Sequence, residues 1–185
     1  MFFDVRFDRR VFPSGAVLLT SVGIASLAGC VSPDMARPAR MVPRDLRVER
    51  SVGVSACVVV DATDSVTLVL RDEFTKEAFA KAVDLALVSA GVFEKVVKYT
   101  EQPQFLVTVR IVHIGVENRF SPFDTSGAAI VAEWELRGAG EEEVLWSEEI
   151  ITTHRCGSFR PALERACNDN IRRAILEMSS SRLKG

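Results

Sequence analysis

The stretch Gln104-Phe-Leu-Val-Thr-Val-Arg-Ile-Val-His-Ile114 decides the fold of this chain. Successive side chains of a β-strand point to opposite faces of a sheet, and this stretch has one face that is almost wholly apolar. That face carries Phe105, Val107, Val109, Ile111 and His113, while the other carries Leu106, Thr108, Arg110 and Val112. A strand this long and this apolar is expected at the centre of a sheet.

Further strands are predicted on both sides of it, from runs rich in β-branched residues that turn residues separate. They cover Val52–Val60, Val66–Leu70, Phe93–Tyr99, Ala128–Leu136 and Val144–Thr153. The last two flank the glycine- and glutamate-rich connection 138–143, which is typical of a hairpin. We therefore expect those two strands to pair antiparallel.

Two helices are predicted from apolar residues at helical spacing. The first covers Thr75–Ala90, and Gly91 is placed to end it. Pro161 suits the first turn of the second, whose apolar stripe contains Leu163, Ala166, Cys167, Asn170, Ile171, Ala174, Ile175 and Met178. The order of elements predicts an α+β fold: an antiparallel or mixed sheet of about five strands with two helices packed on one face.

The first thirty residues are organised like a bacterial secretion signal. Three arginines precede the uncharged apolar run Ala16–Leu27, which is shorter than the roughly 20 apolar residues of a membrane-spanning helix. The run ends in Leu27-Ala28-Gly29-Cys30, which resembles the lipobox of bacterial lipoproteins. In that family a diacylglyceryl group is attached to the cysteine, and a peptidase cuts before it.

The resemblance implies a signal peptide over residues 1–29 and lipidation of Cys30. In enteric-type lipoproteins an aspartate after the cysteine retains the protein at the inner membrane, whereas Val31 follows it here. The implied location is therefore the outer membrane, with a lipid anchor and a periplasm-facing domain. Burial of each acyl methylene contributes about 0.8 kcal/mol, so multiple acyl chains would hold the protein on the bilayer.

Removal of residues 1–29 leaves 156 of the 185 residues, which is enough for one domain. Residues 30–50 contain the acylated cysteine, three prolines and five arginines, and predict an extended, solvated tether. Its arginines could contact anionic headgroups or peptidoglycan carboxylates. The single domain is expected over residues 51–180, followed by a disordered tail, 181–185.

Catalytic chemistry is scarce in the sequence. The two histidines, His113 and His154, lack motif partners, and His154 with Cys156 is too small a set for a metal site. Glu133 and Glu135 fit a solvated sheet face. We therefore predict no catalytic residue, metal or cofactor, and a protein that is not an enzyme. The formal net charge of −2 gives no basis for nucleic-acid binding.

Three cysteines remain besides Cys30, in a compartment that permits disulfides. Cys156 follows a strand and Cys167 lies about two turns into the last helix, so we predict a bridge between them, worth roughly 3 kcal/mol by loop-closure arithmetic. Cys57 would be a buried small residue. The alternative is three reduced, buried thiols, because Cys167 also belongs to the apolar stripe.

The loop Asn118–Asp124 is the most suggestive feature outside the predicted core. Its Arg119, Phe120 and Phe123 would make a compact anchor for a protein partner, since loops often carry function and aromatic residues are enriched at interfaces. Alternatively, the two phenylalanines fold back and cap the end of the sheet.

The mature domain resembles small α+β periplasmic lipoproteins, including the curli-secretion lipoprotein and the penicillin-binding-protein activators. The resemblance lies in Ala90-Gly-Val-Phe93 after the helix, in the strands around Trp134 and Trp146, and in the helix around Asn170-Ile171. It implies a non-enzymatic binding or assembly module for another envelope component, a protein or the cell wall. Two alternatives are an envelope hydrolase or transferase, which needs converging titratable groups, and a lipid or lipopolysaccharide assembly factor, which needs an apolar cavity.

Overall fold

The computed structural model describes residues 36–63, 74–117, 127–140 and 143–181. All of these residues belong to one compact unit, Val31–Gly185. The lipobox, the predicted strand Val66–Leu70 and the loop Asn118–Asp124 lie outside the described residues.

The described residues form three helices and five strands, apart from a 3-10 turn at Tyr99–Glu101. In chain order these elements are α1 (Pro38–Met41), β1 (Gly53–Ala62), α2 (Lys76–Ser89), β2 (Phe93–Val96), β3 (Phe105–Glu117), β4 (Gly127–Gly138), β5 (Val144–Arg155) and α3 (Phe159–Ser180). The Thr75 hydroxyl caps α2 by accepting the Ala78 N–H at 3.0 Å. Gly91, whose φ of 77° suits glycine, follows the end of that helix.

The sheet has the order β2-β1-β3-β4-β5. Strand β1 runs parallel to both β2 and β3, whereas β3, β4 and β5 are antiparallel neighbours. Both long helices pack on the sheet face that carries Trp134, so the predicted fold, a mixed five-stranded sheet with two helices on one face, is confirmed. The stretch 104–114 forms most of β3, which lies at the centre of the sheet as predicted.

Trp134 of β4 joins both long helices to the sheet. Its fully buried ring lies edge-on to Phe79 of α2, with 6.4 Å between the ring centroids. Its Nε1–H donates to Oδ1 of Asn170 on α3 at 2.9 Å, and the Asn170 Nδ2 donates to the Ile150 carbonyl of β5 at 2.8 Å. The buried Asn170 amide is therefore satisfied on both sides, as a polar group inside a core must be.

A β-bulge corrects the predicted position of His113. The register with β4 shifts between Ile111 and His113, so the strict alternation of faces is interrupted there. Ile114 is consequently buried and His113 is exposed, whereas alternation alone placed His113 on the core face. The His113 ring lies over Gly115, where an added Cβ would come within 2.9 Å of the imidazole Nε2.

The predicted tether is wrong for residues 36–48, because this segment packs on the domain. Met41 is fully buried in the core between α2 and α3, and Ala36 and Leu46 are also buried. The Arg37 N–H donates to Glu164 Oε1 at 3.0 Å, and the Val48 N–H donates to the Ala90 carbonyl at 2.9 Å. Prolines prevent a long helix, but a segment with one short helix and a few apolar side chains can still pack between two helices.

Candidate functional site

The predicted partner anchor, Arg119, Phe120 and Phe123, lies outside the described residues and remains a prediction. The same holds for the lipidation site, Cys30. The stems of the anchor loop are the end of β3 and the start of β4, which pair at Glu117 and Gly127. These two stems lie at the end of the sheet where β5 finishes, since Gly127 also pairs with Arg155.

The structure does not contain the predicted disulfide between Cys156 and Cys167, since both are free thiols, as is Cys57. Strand β5 and helix α3 run antiparallel, and the Thr152 hydroxyl donates to the Ala166 carbonyl at 2.7 Å. Cys167, next to Ala166, thus packs near Thr152, and Thr152 is four residues, or roughly 13 Å of extended chain, from Cys156. Disulfides need Cα atoms within about 7 Å. Complete burial raises the pKa of the Cys167 thiol, which suits an inert core residue.

His154 contributes to structure by linking the end of β5 to α3. Its Nε2 lies 3.5 Å from Asp169 Oδ2, which makes an ion pair whenever the imidazole is protonated. Within the four described ranges, no group of three or more His, Cys, Asp or Glu side chains has the arrangement of a metal site. Nor does any described helix have the length and apolarity to cross a membrane.

Two polar surfaces remain as candidate sites. The first, which we call the arginine groove, lies between the N-terminal segment and α3 and encloses about 520 Å³. Its lining residues are Arg40, Val42, Arg44, Pro161, Glu164, Arg165, Asn168 and Arg172. The second, which we call the open sheet face, is the side of the sheet opposite α2 and α3.

Glu164 holds the arginine groove together. This carboxylate is buried, and it accepts the Arg37 backbone N–H on Oε1 and Nη1 of Arg40 at 3.3 Å on Oε2. On the other wall, Nη2 of Arg172 donates to the Arg44 carbonyl at 3.1 Å. One buried, hydrogen-bonded carboxylate therefore lies among the four arginine side chains that line the groove.

The open sheet face carries rows of side chains set by the strand register. One row contains Asp61, Arg110, Glu133 and Glu149, from β1 across to β5. Arg110 Nη1 lies 3.7 Å from Glu133 Oε2, and both side chains are about half exposed. In the next rows Arg137 pairs with Glu135. The interpretation of the two glutamates as residues of a solvated sheet face agrees with this arrangement.

Exposed apolar side chains flank the charged rows of the open sheet face. Val59 of β1 is 43% exposed, and Ile151 of β5 is 53% exposed. No described helix or loop covers either residue on this side. In these rows four acidic residues, Asp61, Glu133, Glu135 and Glu149, accompany two arginines, so this part of the face is mildly acidic whereas the arginine groove is basic.

The arginine groove was not predicted as a site. The sequence predicts a solvated tether for the segment that contains Arg40 and Arg44, and it predicts no site at Arg165 and Arg172 of α3. Arg165, Asn168 and Arg172 follow the three- and four-residue spacing of one helix face, on the side away from the apolar stripe. That spacing was the available signal, but only folding brings the N-terminal arginines to it.

No protein-family model matches this sequence, and no curated protein matches it. Solved structures do resemble the fold. A protein of the DUF330 family from Xanthomonas campestris is similar with a TM-score of 0.55 at 12% identity, covering 80% of this chain and 91% of that one. A hypothetical protein from Chlamydia trachomatis has a TM-score of 0.55 at 8% identity, covering 70% of this chain and 97% of its own.

A third similar structure is PelC from Paraburkholderia phytofirmans, described as a dodecamer. Its TM-score is 0.51 at 11% identity, and the match covers 72% of this chain and 92% of PelC. At these identities the similarity establishes a shared fold and nothing about shared residues or activity.

Proposed function

We propose that this protein is a lipid-anchored, non-enzymatic binding module of the bacterial envelope. It sits on the outer membrane, faces the periplasm, and docks another envelope protein on its open sheet face. The lipobox-like stretch Leu27–Cys30 supports this cellular location. The single observation that supports docking is the exposure of Val59 and Ile151 on a sheet face that none of the described elements covers.

Parallel strands usually have both faces covered, because helical crossovers pack on each side. Here β1 is parallel to both of its neighbours, yet α2 and α3 lie on the same side. The opposite side leaves Val59 and Ile151 exposed beside paired charges. A partner surface with apolar contacts and a basic rim would complement this face.

The geometry favours binding over catalysis on the open sheet face. An acid–base pair of carboxylates needs environments that separate their pKa values, chiefly through burial. Glu133 and Glu135 instead pair with arginines on an accessible surface. The space between sheet and helices is filled by buried side chains such as Trp134, Phe79 and Ile171, which disfavours a lipid-carrying cavity. The similar structure of PelC, described as a dodecamer, supports the proposal that a domain of this fold binds other proteins.

The lipid anchor is tested by Cys30→Ser. We expect the variant to lose all incorporation of an alkyne-tagged fatty acid and to accumulate as a longer precursor, because the acylated atom is the cysteine sulfur. Labelling of the full-length chain in cells, followed by gel mobility and membrane fractionation, measures both effects. Cys57→Ser is the matched control and should label normally. Undiminished label on the Cys30→Ser chain would contradict the lipoprotein assignment.

Docking on the open sheet face is tested by placing a photo-crosslinking amino acid at Val59 or Ile151 of the full chain. In intact cells, both positions should yield an adduct with the same envelope protein. Lys81 and Leu85, exposed on α2, are control positions and should not yield it. Mass spectrometry of the purified adduct identifies the partner. Docking on this face would be refuted if the α2 positions yielded the adduct equally well, or if neither sheet position yielded it.

A further inference from the structure

We propose that the arginine groove binds the phosphate headgroups of anionic phospholipids in the membrane that carries the anchor. The identity of that membrane rests on the proposed function. The affinity of the groove for anionic headgroups is a property of the folded domain, and it can be measured without the acyl chains.

The charges of the groove leave a positive surplus. Its one carboxylate, Glu164, is buried and already accepts hydrogen bonds from Arg37 N–H and Arg40. Arg44 and Arg165 are exposed, and Arg172 donates to a backbone carbonyl and forms no ion pair with the described residues. The nearby acidic residues lie outside this surplus: neither Asp45 nor Glu49 lines the groove, and Asp169 lies beside His154.

The groove lies beside the first described residues of the domain. The Arg37 backbone N–H donates to Glu164, which lines the groove, so Ala36 and Arg37 lie at the groove's edge. Only six residue steps separate Ala36 from Cys30, a reach of about 20 Å when fully extended. An acylated Cys30 therefore keeps the groove within that reach of the headgroup layer, whereas the open sheet face lies on the opposite side of the sheet from the helices.

The residue chemistry favours phosphate as the occupant. Guanidinium groups bind phosphate through two parallel hydrogen bonds, and arginine is easily desolvated at such contacts. Arg165 and Arg172 lie two turns apart on one side of α3, and Leu176, 46% exposed, follows one turn later. Basic residues beside an exposed leucine suit a membrane surface. There the arginines contact the lipid headgroups, and the leucine reaches the boundary between the headgroups and the acyl chains.

The test uses residues 31–185, the compact unit, which has no acyl chain. The protein is sedimented with phosphatidylcholine vesicles prepared with or without phosphatidylglycerol. We expect binding only when phosphatidylglycerol is present, and a steep decrease in binding as salt is added. Each surface arginine contributes roughly a fivefold factor, so Arg165→Gln with Arg172→Gln should weaken binding roughly 25-fold. Arg110→Gln, on the open sheet face, is the matched control and should bind as the unaltered protein does.

Thermal unfolding of each variant ensures that the loss of binding is not a loss of fold. Equal binding to both vesicle types, or full binding by the double variant, would overturn the proposal. Sedimentation with peptidoglycan sacculi but not with vesicles would also overturn it, and would assign the groove to the cell wall. None of these results alters the outcome of the acylation and crosslinking experiments, so failure of this proposal is distinguishable from failure of the proposed function.

Discussion

Met41→Ala is expected to lower the free energy of unfolding by about 2–5 kcal/mol, the usual cost of truncating a buried large side chain. Met41 is fully buried in the core between α2 and α3, although it belongs to a four-residue helix in a proline-rich segment. Truncation leaves a cavity where two helices and the N-terminal segment meet. Urea denaturation of residues 31–185, followed by tryptophan fluorescence, measures the loss.

Arg47→Ala is the matched control for Met41→Ala. Arg47 is exposed in the same segment, so its removal should change the free energy of unfolding by less than about 0.5 kcal/mol. Deletion of residues 36–48 should be still more damaging, since it also removes Leu46 and the hydrogen bonds to Glu164. A deletion variant as stable as the complete domain would restore the interpretation of this segment as a dispensable tether.

Asn170→Leu is expected to destabilise the domain by about 3 kcal/mol, although leucine has nearly the same size and is more apolar. The substitution removes the acceptor of the Trp134 Nε1–H and a donor to the Ile150 carbonyl. A buried polar group left without a partner costs about 1–3 kcal/mol. The loss is measured as a lower denaturation midpoint with an unchanged denaturant slope.

Two further variants isolate the hydrogen bond as the cause. Asn168→Leu, on the partly exposed side of α3, should have little effect. Trp134→Phe removes the indole donor, so adding Asn170→Leu to it should cost less than Asn170→Leu alone. Strictly additive losses would mean that the Trp134–Asn170 bond does not stabilise the native state.

Local patterns predicted most elements of this fold. The alternation in residues 104–114 gave the central strand, and the spacing of apolar residues gave both long helices within a few residues of their ends. Gly91 ended α2 as expected, with a positive φ. These features depend on neighbours along the chain, so sequence periodicity carries the information.

Predictions about distant residues were less successful. The bulge after Ile111 reversed the face of His113, because register depends on the pairing of β3 with β4 and not on β3 alone. The antiparallel packing of β5 and α3 placed Cys167 beside Thr152, too far from Cys156 for a bridge. The spacing of residues in the sequence indicated neither the face of His113 nor the separation of the two cysteines.

By itself, the sequence determined the class of fold, the order of the two long helices and the five described strands, and the scarcity of catalytic motifs, since each follows from residue type and local spacing. Only the tertiary structure decided that the N-terminal segment belongs to the core and that its arginines meet those of α3. The Arg37–Glu164 hydrogen bond joins residues 127 positions apart. The burial of Met41 and the formation of the arginine groove depend on how two helices pack against one sheet. That packing is a property of the whole domain.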